Sequence, residues 1–210
     1  ISRPDSDSEF GTCFNHTQGN VMIVNCSIAM RYYDNASNAW VINVSIQDLS
    51  GAVGINDTVK FTYNPISAIS IPSGAINFAN VSFGQFNVRA YPHILINNTG
   101  NRDFVRVNMS AAALVGTTIS SESIPVTAFG VNTTNSTLNQ RANFPLNGII
   151  SLTDIHTGAF ATLMHGHSSA FAPNADKGKI SVFVWVNIPG FGLSPQFYNA
   201  TWNVTAASAP

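Results

Sequence analysis

Charge is what this sequence has least of. Only 9% of its 210 residues are Asp, Glu, Lys or Arg, and the formal net charge is −1, whereas a soluble domain commonly carries about 25%. A nucleic-acid binder needs a clustered basic footprint, and nine Lys and Arg spread along the chain do not make one. Cysteine is almost missing too. Cys13 and Cys26 are the only two, a spacing that is neither Cys-x-x-Cys nor part of a larger ligand set. Such a pair suits one disulfide in an oxidising compartment, closing a short loop worth roughly 3 kcal/mol. No apolar run approaches the roughly 18 residues a membrane-spanning helix needs. The longest candidate, Val182 to Leu193, is broken by Asn187, Pro189 and Gly190. No long segment places apolar residues at i, i+3, i+4 and i+7, so helices are not expected. Disorder is excluded as well, because 45% of the chain is hydrophobic and β-branched residues abound.

In place of charge the sequence offers Asn, Ser, Thr and Gly, arranged into twelve Asn-X-Ser/Thr sequons. They start at Asn15, Asn25, Asn35, Asn43, Asn56, Asn80, Asn97, Asn108, Asn132, Asn135, Asn199 and Asn203. Random placement of the 24 Asn and 38 Ser or Thr would give about four, and none of the twelve has Pro at X. Dense N-glycosylation is the expectation, which demands export and an exposed Asn at each used site. The covalent glycans would also supply the hydroxyls that keep so uncharged a surface soluble. The first residue is Ile1, which suits a mature, secreted protein from which a leader has been removed.

Period-2 alternation runs through most of the chain. Val41, Val44 and Ile46, then Val59, Phe61 and Tyr63, alternate with polar residues. Ile94 and Ile96, Phe104 to Met109, and Ile180, Val182, Val184 and Val186 repeat the pattern. The last run is apolar on both faces, which suits a central strand covered on both sides or one at an interface. Phe197 to Thr205 reads as one closing strand, with Tyr198, Ala200, Trp202 and Val204 inward and both final sequons outward. Turn signals such as Leu49-Ser50-Gly51, Asn98-Thr99-Gly100-Asn101 and Asn147-Gly148 separate the runs. The expected fold is all-β, a single antiparallel β-sandwich (Ig-like, jelly-roll-like or pilin-like) over residues 21–210. Residues 1–20, which hold Asp5, Asp7 and Glu9, are expected to be an extended N-terminal tail and a donor or interface segment.

Three stretches carry a resemblance. Leu95-Ile96-Asn97-Asn98-Thr99-Gly100-Asn101 through Val107 resembles the strand–turn–strand hairpin of archaeal and bacterial secreted sandwich domains. Val182 to Thr205, with Ile188-Pro189-Gly190 and Phe197 to Trp202, resembles their terminal hairpin, and Ala75 to Phe78 leading to Val81-Ser82-Phe83-Gly84 adds a weaker echo. The chain is thus similar to the TasA and camelysin biofilm fibre proteins and to archaeal extracellular filament subunits, the threads and bundling pili. That resemblance implies a cell-surface filament subunit that polymerises head to tail by donor-strand complementation. The expected partner is the chain itself, with surface polysaccharides or other cells as adhesion targets. Residues 1–9 do not alternate as a donor strand should; Val21 to Met30 or the C-terminal strand are the other candidates.

Sites for chemistry are sparse. His165-Gly166-His167, with His156 and Asp154 nearby, is the best metal candidate, against a plain Gly- and Ser-rich loop. No Gly-x-Ser-x-Gly occurs, and Asp34, Asp48, Asp57, Asp103, Glu122 and Asp176 are scattered, so no catalytic residue, metal site or cofactor is expected, and the chain is not expected to be an enzyme. Trp40, Trp185 and Trp202 are read as core rather than sugar-stacking residues. A cell-surface adhesin, a carbohydrate-binding sandwich module or a surface-layer component is the alternative to the filament subunit.

Overall fold

The computed structural model describes residues 11–32, 34–135, 141–153 and 178–208. These residues form antiparallel strands, one 3-10 turn at Val126–Ala128 and no α-helix, as the lack of helical periodicity requires. By compactness the chain divides into two units, Ile1–Asn64 and Pro65–Pro210. The division expected after residue 20 thus lies inside a paired hairpin. Strand β1 (Gly11–Gln18) pairs along its whole length with β2 (Val21–Ile28). Gly11–Gln18 has only Cys13 and Phe14 as apolar residues, so its own pattern is weak. Its strand comes from a strong partner and from Gly19, whose φ of 64° suits a tight turn.

The first unit holds β1–β2 and a second hairpin, β3 (Ser37–Gln47) with β4 (Val53–Tyr63). Asp48 shapes the β3–β4 turn. Its Oδ1 accepts from the Ser50 N–H (2.9 Å), the Ser50 hydroxyl (2.7 Å) and the Ala52 N–H (2.9 Å). These bonds, the Ser50 hydroxyl foremost, hold its carboxyl below the usual range. At the base, the Tyr63 hydroxyl donates to the Arg31 carbonyl at 3.1 Å; burial, then the charge of Asp34, pushes the phenol up. Among the described side chains of this unit Asp34 alone is buried. Isolated two-stranded hairpins are marginal in water, and these two leave apolar residues such as Val24, Val44 and Ile46 exposed.

The second unit contains β5 (Ile69–Ser73), β6 (Val88–Arg89), β7 (Ile94–Asn98), β8 (Phe104–Ser110), β9 (Leu114–Gly116), β10 (Ser123–Ile124), β11 (Phe129–Asn132), β12 (Ala142–Asn143), β13 (Ile149–Ser151), β14 (Lys179–Val186), β15 (Tyr198–Asn199) and β16 (Asn203–Ser208). A six-stranded sheet runs β12-β11-β14-β7-β5, with β6 also on β14. Two three-stranded sheets run β13-β8-β16 and β10-β9-β15. The β14 run is central, as its two apolar faces suggest: Ile180 and Val182 pair with Ile96 and Ile94, and Val184 and Val186 with Val131 and Phe129. These residues share one core with Val107 and Met109 of β8 and Ile150 of β13. Each such side chain contributes about 1.5–3 kcal/mol relative to exposure. On the opposite face of β14, Phe183 and Trp185 are buried too, with the Arg89 guanidinium 4.8 Å from the Phe183 ring centroid.

The end of the chain departs from the single strand expected over Phe197 to Thr205. It breaks at Ala200–Trp202, so that β15 joins β9 while β16 joins β8. The alternation holds on either side of the break, with Tyr198, Trp202 and Val204 half-buried and Asn199 and Asn203 exposed, but Ala200, expected inward, is exposed at the break itself.

Candidate functional site

Among the described residues, the core of the second unit is open at one end. A groove of about 870 Å³ has Ile94, Met109, Leu114, Ile124, Val186 and Ile188 in its lining. Its walls are the segment 74–81 and the strap 195–200, and among the described residues no Asp, Glu, Lys or Arg lines it. Two of these residues, Met109 and Val186, have essentially no accessible surface of their own, so the groove reaches the centre of the core.

Both walls are fastened by hydrogen bonds. Asn77 and Tyr91 exchange backbone bonds of 3.0 and 2.8 Å, and the Asn77 side chain accepts from the Ala79 N–H at 2.9 Å. The opposite wall is clamped by Glu122. Its carboxylate accepts from the Ser194 N–H (2.6 Å), the Ser194 hydroxyl (2.7 Å), the Gln196 amide (2.8 Å) and the Tyr198 hydroxyl (2.7 Å). Charge-assisted bonds of this kind favour the ionised form. The Ser194 hydroxyl first, then Tyr198, hold Glu122 below the usual glutamate range, against a smaller opposing effect of burial. The Gln196 carbonyl oxygen in turn accepts from the N–H groups of Thr118 and Ile119, both at 2.8 Å. Nothing in the sequence pattern singled Glu122 out, because its partners lie more than 70 positions away.

The sequons fall into three groups. Asn15, Asn25, Asn35, Asn43, Asn56, Asn80, Asn135, Asn199 and Asn203 are exposed, and Asn108 is half-buried. Asn97 and Asn132 are buried, at 6% and 2% exposure. The Asn132 side-chain oxygen is engaged by the N–H and hydroxyl of its own sequon's Thr134, at 2.9 and 3.0 Å. Asn80 and Asn199 stand on opposite walls of the groove.

Cys13 and Cys26 are directly paired across β1–β2 and form the disulfide, with their Cα atoms 4.0 Å apart. The histidines His156, His165 and His167 and the acids Asp154, Asp176, Asp5, Asp7 and Glu9 lie outside the described residues. Among the described residues no three His, Cys, Asp or Glu side chains come together as a metal site. No described helix is long and apolar enough to cross a membrane. Trp185 is buried, Trp202 packs edge-on against Phe129 and Phe144, and Trp40 stacks on Phe61 at 6.1 Å. No protein family, curated protein or solved structure matches the chain, so geometry and sequence pattern carry the functional reading.

Proposed function

We propose that this chain is a secreted, N-glycosylated structural subunit of an extracellular filament, assembled head to tail by donor-strand complementation. In this reading the second unit is an open β-sandwich whose sheet is completed by a strand of the next copy. The observation that carries it is the groove of about 870 Å³ that reaches buried core residues such as Met109. A wet apolar groove is unfavourable at about 25 cal/mol per Å² of apolar surface, and an inserted strand removes that cost while adding ladder hydrogen bonds. A contact between unlike surfaces does not close on itself and therefore builds a fibre. The disulfide suits an oxidising, extracytoplasmic setting, and nine exposed sequons suit a glycan coat. The role is structural, with no cofactor beyond the sugars, and the partner is the chain itself. An adhesin or carbohydrate-binding module is favoured less, because Trp185 is buried and Trp202 packs edge-on against Phe129 and Phe144. Negative-stain electron microscopy of the native protein tests the reading: uniform fibres of this one chain are expected, and dispersed globular particles at every concentration overturn it.

A further inference from the structure

We infer that the donated element is β3, presenting Trp40, Ile42, Val44 and Ile46 to the groove of a second copy; this rests on the filament reading above. The four residues alternate along β3 and so share one face, opposite Phe61, Val59, Asn56 and Gly54 of β4. Toward the hairpin tip that face is bare, with Ile46 66% exposed. Among the described residues β3 pairs with β4 alone, which leaves its other edge free to add to a sheet. The opposite face carries Val41, Asn43, Ser45 and Gln47, so a sugar on Asn43 points away from the apolar face.

The groove selects this strand by chemistry. Its described lining has no charged residue, so an occupant that brought charge would find no described partner for it there. Residues 37–47 contain no Asp, Glu, Lys or Arg, whereas residues 1–10 contain Arg3, Asp5, Asp7 and Glu9. On β2 the longest apolar face, Met22, Val24 and Ile28, includes Cys26, which is bonded to Cys13. The C-terminal strand β16 packs Val204 and Ala206 against the core of its own unit, which withholds its apolar side chains from a second copy. Its outer side ends the sheet order β13-β8-β16, and its Val204 lines the groove, so it offers the edge to be extended.

The entry point of the chain favours a second copy over self-insertion. Ile66 is fixed to the 98–101 turn, its N–H donating to the Asn101 side chain at 2.6 Å and its carbonyl accepting from the Asn101 N–H at 2.9 Å. That turn lies beside Gly178, at the start of β14, through the Asn98 N–H to Gly178 carbonyl bond. The groove lies at the other end of β14, at Val186 and Ile188. Eight residues of strand separate the two ends by about 25 Å. The chain therefore enters the second unit at one end of β14 while the groove opens at the other, the polarity a head-to-tail polymer needs.

The test compares filament formation by the full-length chain with that of V44D/I46D on the apolar face of β3 and V41D on its opposite face, where the new carboxylate stands across from Lys60. The wild type and V41D are expected to form filaments. The double variant should need about a hundredfold or more higher protein concentration. Because it keeps its groove, it should also cap growing wild-type filaments and shorten them. If it neither polymerises nor caps, the free peptide of residues 37–47 added to wild-type protein decides, filament shortening upholding the assignment and unchanged length overturning it. Wild-type-like assembly by V44D/I46D overturns β3 as donor and leaves the filament reading standing. Equal loss in V41D also overturns it, since the effect would then not belong to the apolar face. Absence of filaments from the wild type overturns the filament reading itself.

Discussion

Replacing Trp202 by alanine removes a side chain that joins the end of the chain to the core. The indole sits edge-on to Phe129 at 5.2 Å and to Phe144 at 5.4 Å between ring centroids, and its Nε1–H donates to the Ala112 carbonyl at 2.9 Å. Half-burial of a Trp withdraws about 100 Å² from water, worth roughly 2.5 kcal/mol at 25 cal/mol per Å². The two aromatic contacts contribute about 0.5–1.5 kcal/mol each and the hydrogen bond about 1 kcal/mol, partly counted already in the area. W202A is therefore expected to cost about 4 kcal/mol, a large share of the 5–15 kcal/mol typical of a whole domain. W202F keeps one ring in place and loses the donor, for about 1–1.5 kcal/mol. Urea unfolding at low protein concentration, followed by far-UV circular dichroism, measures both. A cost below about 1 kcal/mol for W202A, with an unchanged denaturant slope, would refute the view that this indole is part of the core.

Three further outcomes follow from the same structure. Gly100 to Ala would drive a Cβ into the Ile66 carbonyl oxygen and to 2.9 Å from the Ala68 nitrogen; a loss of about 2 kcal/mol or more is expected by thermal melting, and a neutral substitution would show that the 98–101 turn yields freely. Glu122 has a folded pKa held below its ordinary value of 4.5, so it stabilises the fold above that value and the contribution fades as pH falls through the folded pKa. The melting-temperature gap between wild type and E122Q should thus be steady near neutrality and shrink in acid; a gap that widens in acid refutes the clamp. Glycopeptide mass spectrometry of native protein should find Asn97 and Asn132 unmodified and sugars concentrated on the nine exposed sequons, and full occupancy of the two buried sites would contradict their burial.

The all-β character and the leading strands were legible in the sequence because period-2 alternation is a direct print of a pleated surface. The β14 run announced its central place by being apolar on both faces, and Cys13 and Cys26 announced their bond by being the only candidates. The boundary after Asn64 was not legible. Val41 to Ile46 in the first unit and Ile180 to Val186 in the second share one alternation, and what separates them is whether a second layer covers the strand, which no local pattern records. The break at Ala200–Trp202 was hidden for a similar reason, since β15 and β16 keep the same inward period while joining different partners. Glu122 and the groove walls depend on contacts between distant segments. The sequons were countable, but which of them lie under the protein surface was not.

The bond between Cys13 and Cys26 has a role beyond its loop entropy. In a strand pair with so little core beneath it, a slip of one residue costs little and turns every side chain to the other face. A covalent tie between directly opposed positions forbids that slip. It acts as an alignment pin, fixing Met22, Val24 and Ile28 on one side and Val21 and Ile23 on the other in every copy. In the filament proposed above, successive copies must present identical surfaces to repeat, and this one bond would secure that sameness where packing alone would leave it loose.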